Sequence, residues 1–502
     1  DISFTLPNDS LVAISASDTE ERRALAELLT REVLPAAGSV KMGGRDLNEL
    51  HQMVIASRIG YAEVSPYVFE GSFGGNLLMS LRHRPLQKHD VPADRVSREA
   101  HRDNESERSG NSTDAFLANW VDPEIAGVKN EEELRDWWVR LMDALGSGNA
   151  MFRRGLDQVF DAAEHPDLAQ RLVELRPKIR AELEKEGLRS GYYRFDPDQY
   201  NPALPVSANL FFATPRQGAD YGAASAGSFL ELLDELGLAE GMLRLSVEVV
   251  EMLNQTFGVD GVEHPLFRRL GLNPDLFEQL VELSIKVREQ SLDVLGRDEK
   301  VQMLSVPFEV SAEQIGPAFT DELKQMILDM RHKQRTKIEG WVSDHFEPLS
   351  EAGFAPGMSV LENAIYGTLS SAGGRSEGVH AVVERVLEQE NLKQQVAELL
   401  FAVPTGLAGA GMPSAFAGPL SISRAALKQP DVLILDGCLG ATDEDESRQV
   451  IRNLRDMLPT AVLIFLEDSV KQPEEFDIVV DIEHGRIKDD GSQGDAVQDN
   501  AA

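Results

Sequence analysis

The feature that most constrains this 502-residue chain is a pair of strand patterns set far apart, one near each end. Leu11-Val12-Ala13-Ile14 is an apolar run, followed by a short loop and the helix-like stretch Ala24-Leu25-Ala26-Glu27-Leu28-Leu29. Asp431-Val432-Leu433-Ile434-Leu435-Asp436 is a second apolar run, capped by a carboxylate. Strand, loop and helix, answered by a strand ending in aspartate, form the framework that a phosphate-binding loop and its magnesium partner strand require. The expected fold class is α/β.

Between these ends the periodicity changes. Residues 1–82 alternate short strands with a helix whose face is marked by Leu25, Leu28, Leu29 and Val33. Pro35 stops that helix, and Ala37-Gly38-Ser39 turns the chain into Val40-Lys41-Met42. Residues 83–115 are charged and polar, which predicts a mobile linker. Residues 116–346 turn helical. Leu168, Leu172, Leu175, Ile179 and Leu183 form one stripe, with Pro177 set to kink it, and Leu276, Leu280, Leu283 and Val287 form another. Ser311 with Gln314 fits a capping box. Residues 347–491 return to mixed helix and strand, and 492–502 read as a disordered tail.

Composition narrows the partners. A net charge of −35 argues against nucleic acid, because phosphates would be repelled. The single cysteine, Cys438, excludes an internal disulfide and suits a reducing cytoplasm. No apolar run approaches the roughly 18 to 20 residues that cross a bilayer, and no signal peptide is visible. The chain opens directly on the strand-like Ile2-Ser3-Phe4-Thr5-Leu6, so it is expected to be a fragment of a longer protein.

An internal repeat occurs three times. Tyr67-Val68-Phe69 leads to Ser72-Phe73-Gly74-Gly75-Asn76-Leu77-Leu78; Tyr200-Asn201-Pro202 leads to Pro205-Val206-Ser207-Ala208-Asn209-Leu210-Phe211; Phe354-Ala355-Pro356 leads to Ser359-Val360-Leu361-Glu362-Asn363-Ala364-Ile365. Each is an aromatic-led turn, a Ser or Pro suited to a helix start, and an Asn-apolar-apolar step. This reads as a reused docking element.

Val12 to Leu29 resembles the first strand, phosphate loop and helix of the ATP-binding cassette (ABC) domains of transporters, a P-loop NTPase-like fold. Ile59 to Asn76 is similar to the segment around their glutamine loop in exporter-type wording. Leu420 to Pro430 resembles the helix after the signature, Asp431 to Asp443 the magnesium strand and D-loop, and Phe476 to Arg486 the closing strands. The resemblance covers residues 1–82 and 347–491, which makes the helical middle an insertion within the cassette core.

The functional positions depart from that pattern. Gly-x-x-x-x-Gly-Lys-Ser/Thr is replaced by Ala16-Ser17-Asp18-Thr19-Glu20-Glu21-Arg22-Arg23. Both glycines of the phosphate nest are gone. Arg22 stands for the lysine, but its planar fork does not fit the same cradle. Arg23 stands for the magnesium ligand and has no acceptor to offer. Val64 takes the glutamine-loop position, Met412-Pro413-Ser414-Ala415-Phe416 the signature, Gly437 the catalytic glutamate and Glu467 the switch histidine. Asp436 survives, as a water-mediated magnesium ligand or as a helix cap. Asp443 survives, as a dimer contact or a solvent-facing cap. Thr19, Arg22, Arg23 and Asp436 are thus the candidate nucleotide residues, with ATP and Mg2+ binding weak or absent.

The resemblance implies a nucleotide-binding domain on the cytoplasmic face of the membrane, partnered by a transporter's transmembrane domain and a second, competent cassette. In the family the segment after the glutamine loop receives the membrane domain's coupling helix, which makes Tyr67, Phe69 and Asn76 the docking candidates. The alternatives are an interaction scaffold that binds no nucleotide and an active ATPase. His51, His83, His89 and His101 lack metal-ligand spacing; Trp137 and Trp138 read as core residues; no Gly-x-Ser-x-Gly elbow occurs.

Overall fold

A computed structural model describes residues 2–488 except 17, 84, 86–95, 114–118, 216–222, 236, 238, 258–272, 306–309, 316–318, 334–345, 371–373 and 439–443. The chain divides into two compact units, Asp1–Phe152 with Ala397–Ala502, and Arg153–Val396. Its strands are β1 (Leu11–Ala16), β2 (Lys41–Met42), β3 (Arg45–Asp46), β4 (Ile59–Glu63), β5 (Tyr192–Arg194) and β6 (Ala213–Pro215). There follow β7 (Phe346–Pro348), β8 (Gly367–Leu369), β9 (Val432–Asp436), β10 (Val462–Glu467), β11 (Ile478–Glu483) and β12 (Arg486–Ile487).

The first unit is built on a six-stranded sheet in the order β12-β11-β1-β10-β9-β4. All its pairings are parallel except that of β12. Both faces are covered, which is why the central strands read as unbroken apolar runs. Side chains alternate across the pleat. Leu433, Leu435, Leu463 and Phe465 enter one core with the helix Ala417–Ala426 and with Ile451 and Leu454 of the helix Glu444–Met457. Val12, Ile14, Ile434, Ile464 and Leu466 enter the other, with Leu25 and Ala26 of the helix Thr19–Leu29. The register aligns Ile14 with Leu466, Leu466 with Asp436, and Asp436 with Glu63, so the carboxyl ends of β1, β10, β9 and β4 meet at one edge. That edge is where parallel α/β sheets hold ligands.

Two expectations need correction. Residues 83–115 are not linker throughout: Val96–Ser109 is a helix. Its Arg, Glu and Ala residues are good helix formers, and Arg108 pairs with Glu105 three positions back. The second concerns where the helical middle divides. The sequence places its bounds at 116 and 346, whereas the contacts divide the chain after Phe152 and after Val396. The helix Glu131–Ala144 belongs to the first unit because Trp138 and Leu141 are fully buried in the sheet's core and Trp137 Nε1 donates to Leu427 O at 3.2 Å.

The second unit is helical, with two short ladders, β5 with β8 and β6 with β7, both antiparallel. The helix Pro166–Lys185 continues through Pro177, and Leu280 of the helix Pro274–Gln290 enters the unit's main core. Ser311 and Gln314 form the expected box: Ser311 N donates to Gln314 Oε1 at 2.7 Å and Gln314 N to Ser311 Oγ at 3.4 Å.

Candidate functional site

At the carboxyl edge of the sheet, β1 leads into the helix Thr19–Leu29. Asp18 caps it: Glu20 N donates to Asp18 Oδ1 at 2.9 Å. With Glu20 and Glu21 in the first turn, the helix dipole is answered by the chain's own carboxylates, which stabilises the helix and repels a phosphate.

One turn on, Arg22 faces the end of β9. Its Nε lies 2.6 Å from Asp436 Oδ1, and its Nη1 donates to Asp468 Oδ1. The Arg22 and Asp436 side chains are each only 14% exposed, against 73% for Asp468. Tyr61 Oη, from the adjoining β4, donates to Asp436 Oδ2 at 3.2 Å. Both carboxylate oxygens are therefore engaged. Burial opposes the Arg22 charge, but the hydrogen bond and charge of Asp436, helped by Asp468, outweigh it and hold the guanidinium above its ordinary value. Burial first, then the charge of Asp436, raises the Tyr61 phenol well above its usual range, so it stays a donor. Cys438, beside the site, is pushed up to about 12, mainly by burial, and is unreactive as a thiolate.

A hydrated magnesium ion does not fit this donor set. Asp436 is the one acceptor of the expected constellation, and an arginine and a tyrosine occupy it. Arg23 points along its helix and pairs with Glu27 at 2.9 Å, and Thr19 is exposed at the first helical position. Asp443 lies outside the described residues. Gly437 has φ +65°, and a Cβ there would lie 3.3 Å from Val64 Cγ2, so the backbone itself resists a glutamate. Glu467 closes β10 and lines a cavity of about 50 Å³ with Glu444, Lys471 and Gln472, far below nucleotide size. Among the described residues no group of three His, Cys, Asp or Glu side chains is placed to hold a metal ion.

The repeated element is a structural unit with a clear cause. Asn76 is 2% exposed; its Oδ1 accepts from Phe69 N at 2.8 Å, and its Nδ2 donates to Phe69 O at 2.8 Å and Ser72 O at 3.1 Å. One buried amide thus clamps the loop preceding its own short helix. Asn209 does the same to Asn201 N and O, and Asn363 to Ala355 N and O. An arginine that the sequence reading missed supports the first clamp: Arg424 Nε donates to Asn76 O at 3.1 Å and Nη1 to Tyr67 O at 3.0 Å. The faces differ between copies. In the first, Tyr67 is 66% and Phe69 45% exposed, their ring centroids 4.8 Å apart, and Leu407 of the loop that packs on Val68 is 77% exposed. In the second and third, the clamped Asn201 and Ala355 are buried. Asn76 cannot touch a partner directly; it shapes the loop that carries Tyr67 and Phe69.

No protein-family profile matches the chain. It is 30% identical over 88 residues to the transport/processing ATP-binding protein ComA of Streptococcus pneumoniae, covering 18% of this chain and 12% of ComA. It is 25% identical over 298 residues to an ATP-dependent lipid A-core flippase of Aromatoleum aromaticum, covering 55% of this chain and 48% of that protein. It is 28% identical over 101 residues to the energy-coupling factor transporter ATP-binding protein EcfA1 of Enterococcus faecalis, covering 20% and 35%. The chain thus spans about half or less of the length of these relatives. No helix among the described residues is long and apolar enough to cross a membrane.

Proposed function

We propose that this chain, which belongs to the ATP-binding cassette family of transporter domains, serves as a non-hydrolysing cassette. Its nucleotide site is held shut by its own side chains, and it works by docking a membrane-spanning partner beside a second, competent cassette. The observation that carries this reading is the occupied aspartate: Arg22 Nε at 2.6 Å on one oxygen of Asp436 and Tyr61 Oη on the other. A triphosphate entering there meets Glu20 and Glu21 in place of amides. One such like-charge contact near 4 Å costs about 4 kcal/mol at an effective dielectric of 20. The missing base at Gly437 removes a further ~10²–10⁴-fold of rate. The docking face is the exposed pair Tyr67 and Phe69, rigidified by Asn76 and Arg424. Its partner is the transmembrane domain of a transporter, at the cytoplasmic face of a membrane.

The test is MgATP titration followed by thermal shift and phosphate release. Ligand at 100 times its Kd stabilises by about 2.7 kcal/mol, and this chain is expected to give no shift at millimolar ATP and no turnover. Turnover that is abolished by Asp436→Asn would overturn the reading.

A further inference from the structure

The second unit repeats itself at one constant spacing. β5 and β7 begin 154 residues apart, at 192 and 346; the short clamp helices at 206 and 360; β6 and β8 at 213 and 367. Asn209 and Asn363 keep the same interval. So do Phe212 and Tyr366, which end those helices in left-handed conformations at φ 46° each.

The contacts repeat as well, and they are exchanged between the copies. β5 of the first copy pairs with β8 of the second, and β6 of the first with β7 of the second. The register Tyr192↔Leu369 in one ladder has the counterpart Phe346↔Pro215 in the other. Phe195 N donates to Tyr366 O at 3.0 Å, and the equivalent Leu349 N donates to Phe212 O at 3.0 Å. A shared core joins Phe195, Leu204 and Phe212 to their counterparts Leu349, Met358 and Tyr366.

Two arginines, 155 residues apart, complete the exchange. Arg176, on the helix Pro166–Lys185 of the first copy, reaches the clamp of the second. Its Nε donates to Asn363 O at 2.8 Å and its Nη1 to Glu351 O at 2.6 Å and Gly353 O at 2.9 Å, with the guanidinium 4.6 Å from the Tyr366 ring centre. Arg331, on the helix Asp321–Lys333 of the second copy, reaches the clamp of the first. Its Nη2 donates to Gln199 O at 3.0 Å, and it lies 5.1 Å from the Phe212 ring. Both side chains are almost wholly buried. A guanidinium remains charged there, so it needs these carbonyls and ring faces. Arg176 has more of them, which makes its grip the firmer of the two.

We infer that the second unit is a duplicated module closed on itself about an internal two-fold, in which each copy clasps the other's clamp, so that the two clamps open and close as one. The consequence for docking is direct. The faces of the second and third clamps bury each other and are withheld from any partner, while the first clamp keeps Tyr67 and Phe69 open. The inference concerns the second unit alone and stands whether or not the first unit docks a membrane partner.

The experiment is hydrogen exchange with mass spectrometry on the full chain carrying Arg176→Met, with Arg176→Lys as the milder variant should the first fail to fold. The coupled pair requires at least tenfold faster exchange at 354–366 and, across the two-fold, at 200–212, with the helix Pro274–Gln290 unchanged. Acceleration confined to 166–185, or reaching 354–366 while 200–212 keeps its wild-type rate, would overturn it.

Discussion

Replacing Asp436 by asparagine separates two descriptions of the sheet's carboxyl edge by the sign of a single number. In a site kept ready for magnesium, the aspartate is an unneutralised charge in the empty protein, and Asp436→Asn relieves that strain and stabilises. Here the charge is already matched. At 4 Å and an effective dielectric of 20, a unit pair is worth about 4 kcal/mol gross. Hydrogen bonds to charged groups contribute about 1.5–3 kcal/mol net, and stripping one partner from a buried pair costs about 3–5. With 14% of each side chain still in contact with water, Asp436→Asn should cost about 2–3 kcal/mol. Asp468→Asn, at the exposed end of the same guanidinium, should cost less than about 1 kcal/mol. The double variant Arg22→Met with Asp436→Leu removes both charges together and should cost less than either change alone. Tryptophan fluorescence during denaturation suits the measurement, since the buried Trp137 and Trp138 both report the first unit. A coupling energy below about 0.5 kcal/mol between positions 22 and 436, or a stabilising Asp436→Asn, would refute the reasoning.

Other expectations follow from the same geometry. Gly437→Glu should fail to create ATPase activity, read by phosphate release, and should lower stability by about 1–2 kcal/mol, because it forces a left-handed residue against Val64. Asn76→Ala should cost about 1–3 kcal/mol by leaving Phe69 N unpaired, while Phe69 O keeps the bond it accepts from Thr405 Oγ1; Tyr67→Ala should leave the melting temperature unchanged while abolishing pull-down of a co-expressed membrane partner. Lys428, which donates to Ala56 O and to Ile59 O at 2.7 Å, is lowered by burial to about 8 from 10.5. The unfolded chain then binds the extra proton between those values, so stability rises with pH across about 8 to 10.5. The difference between wild type and Lys428→Met, followed by urea midpoints over that window, should show the slope.

What the sequence discloses here is what runs locally along the chain. The unbroken apolar run Val432–Leu435 announces a strand covered on both faces, and Ser311 with Gln314 announces a helix start, because each signal is complete within a few residues. The repeat is legible for the same reason: Asn76, Asn209 and Asn363 each act on a loop seven or eight positions back. What is hidden depends on residues brought together from afar. The resemblance puts Arg22 and Asp436 in one site, but nothing near either foretells that they pair with each other, and Arg23 reads as Arg22's equal until the helix turns it toward Glu27. Arg176, Arg331 and Arg424 look like ordinary charged helix residues, although each serves a clamp in another segment. The polar composition of residues 96–109 suggests a linker, while their helix propensity favours the helix.

In the proposed reading, the ion pair takes the place of nucleotide in holding the sheet's edge together. A cassette that binds ATP is stabilised by it, by about 2.7 kcal/mol at 100 times the Kd, and loses that support whenever the ligand leaves. The bond between Arg22 and Asp436 joins the helix after β1 to the end of β9 in a way that does not depend on ligand concentration. A chain so tied gains nothing from glycines at positions 16 and 21, and their conformational freedom would only cost backbone entropy. Restoring glycine at 16 and 21 should therefore destabilise the first unit, as would Arg22→Lys, which exchanges a fork spanning Asp436 and Asp468 for a single point charge. If the triple variant Ala16→Gly, Glu21→Gly, Arg22→Lys melted no lower than the wild type and bound MgATP by calorimetry, the lock would be incidental and the aspartate would still be available to a metal.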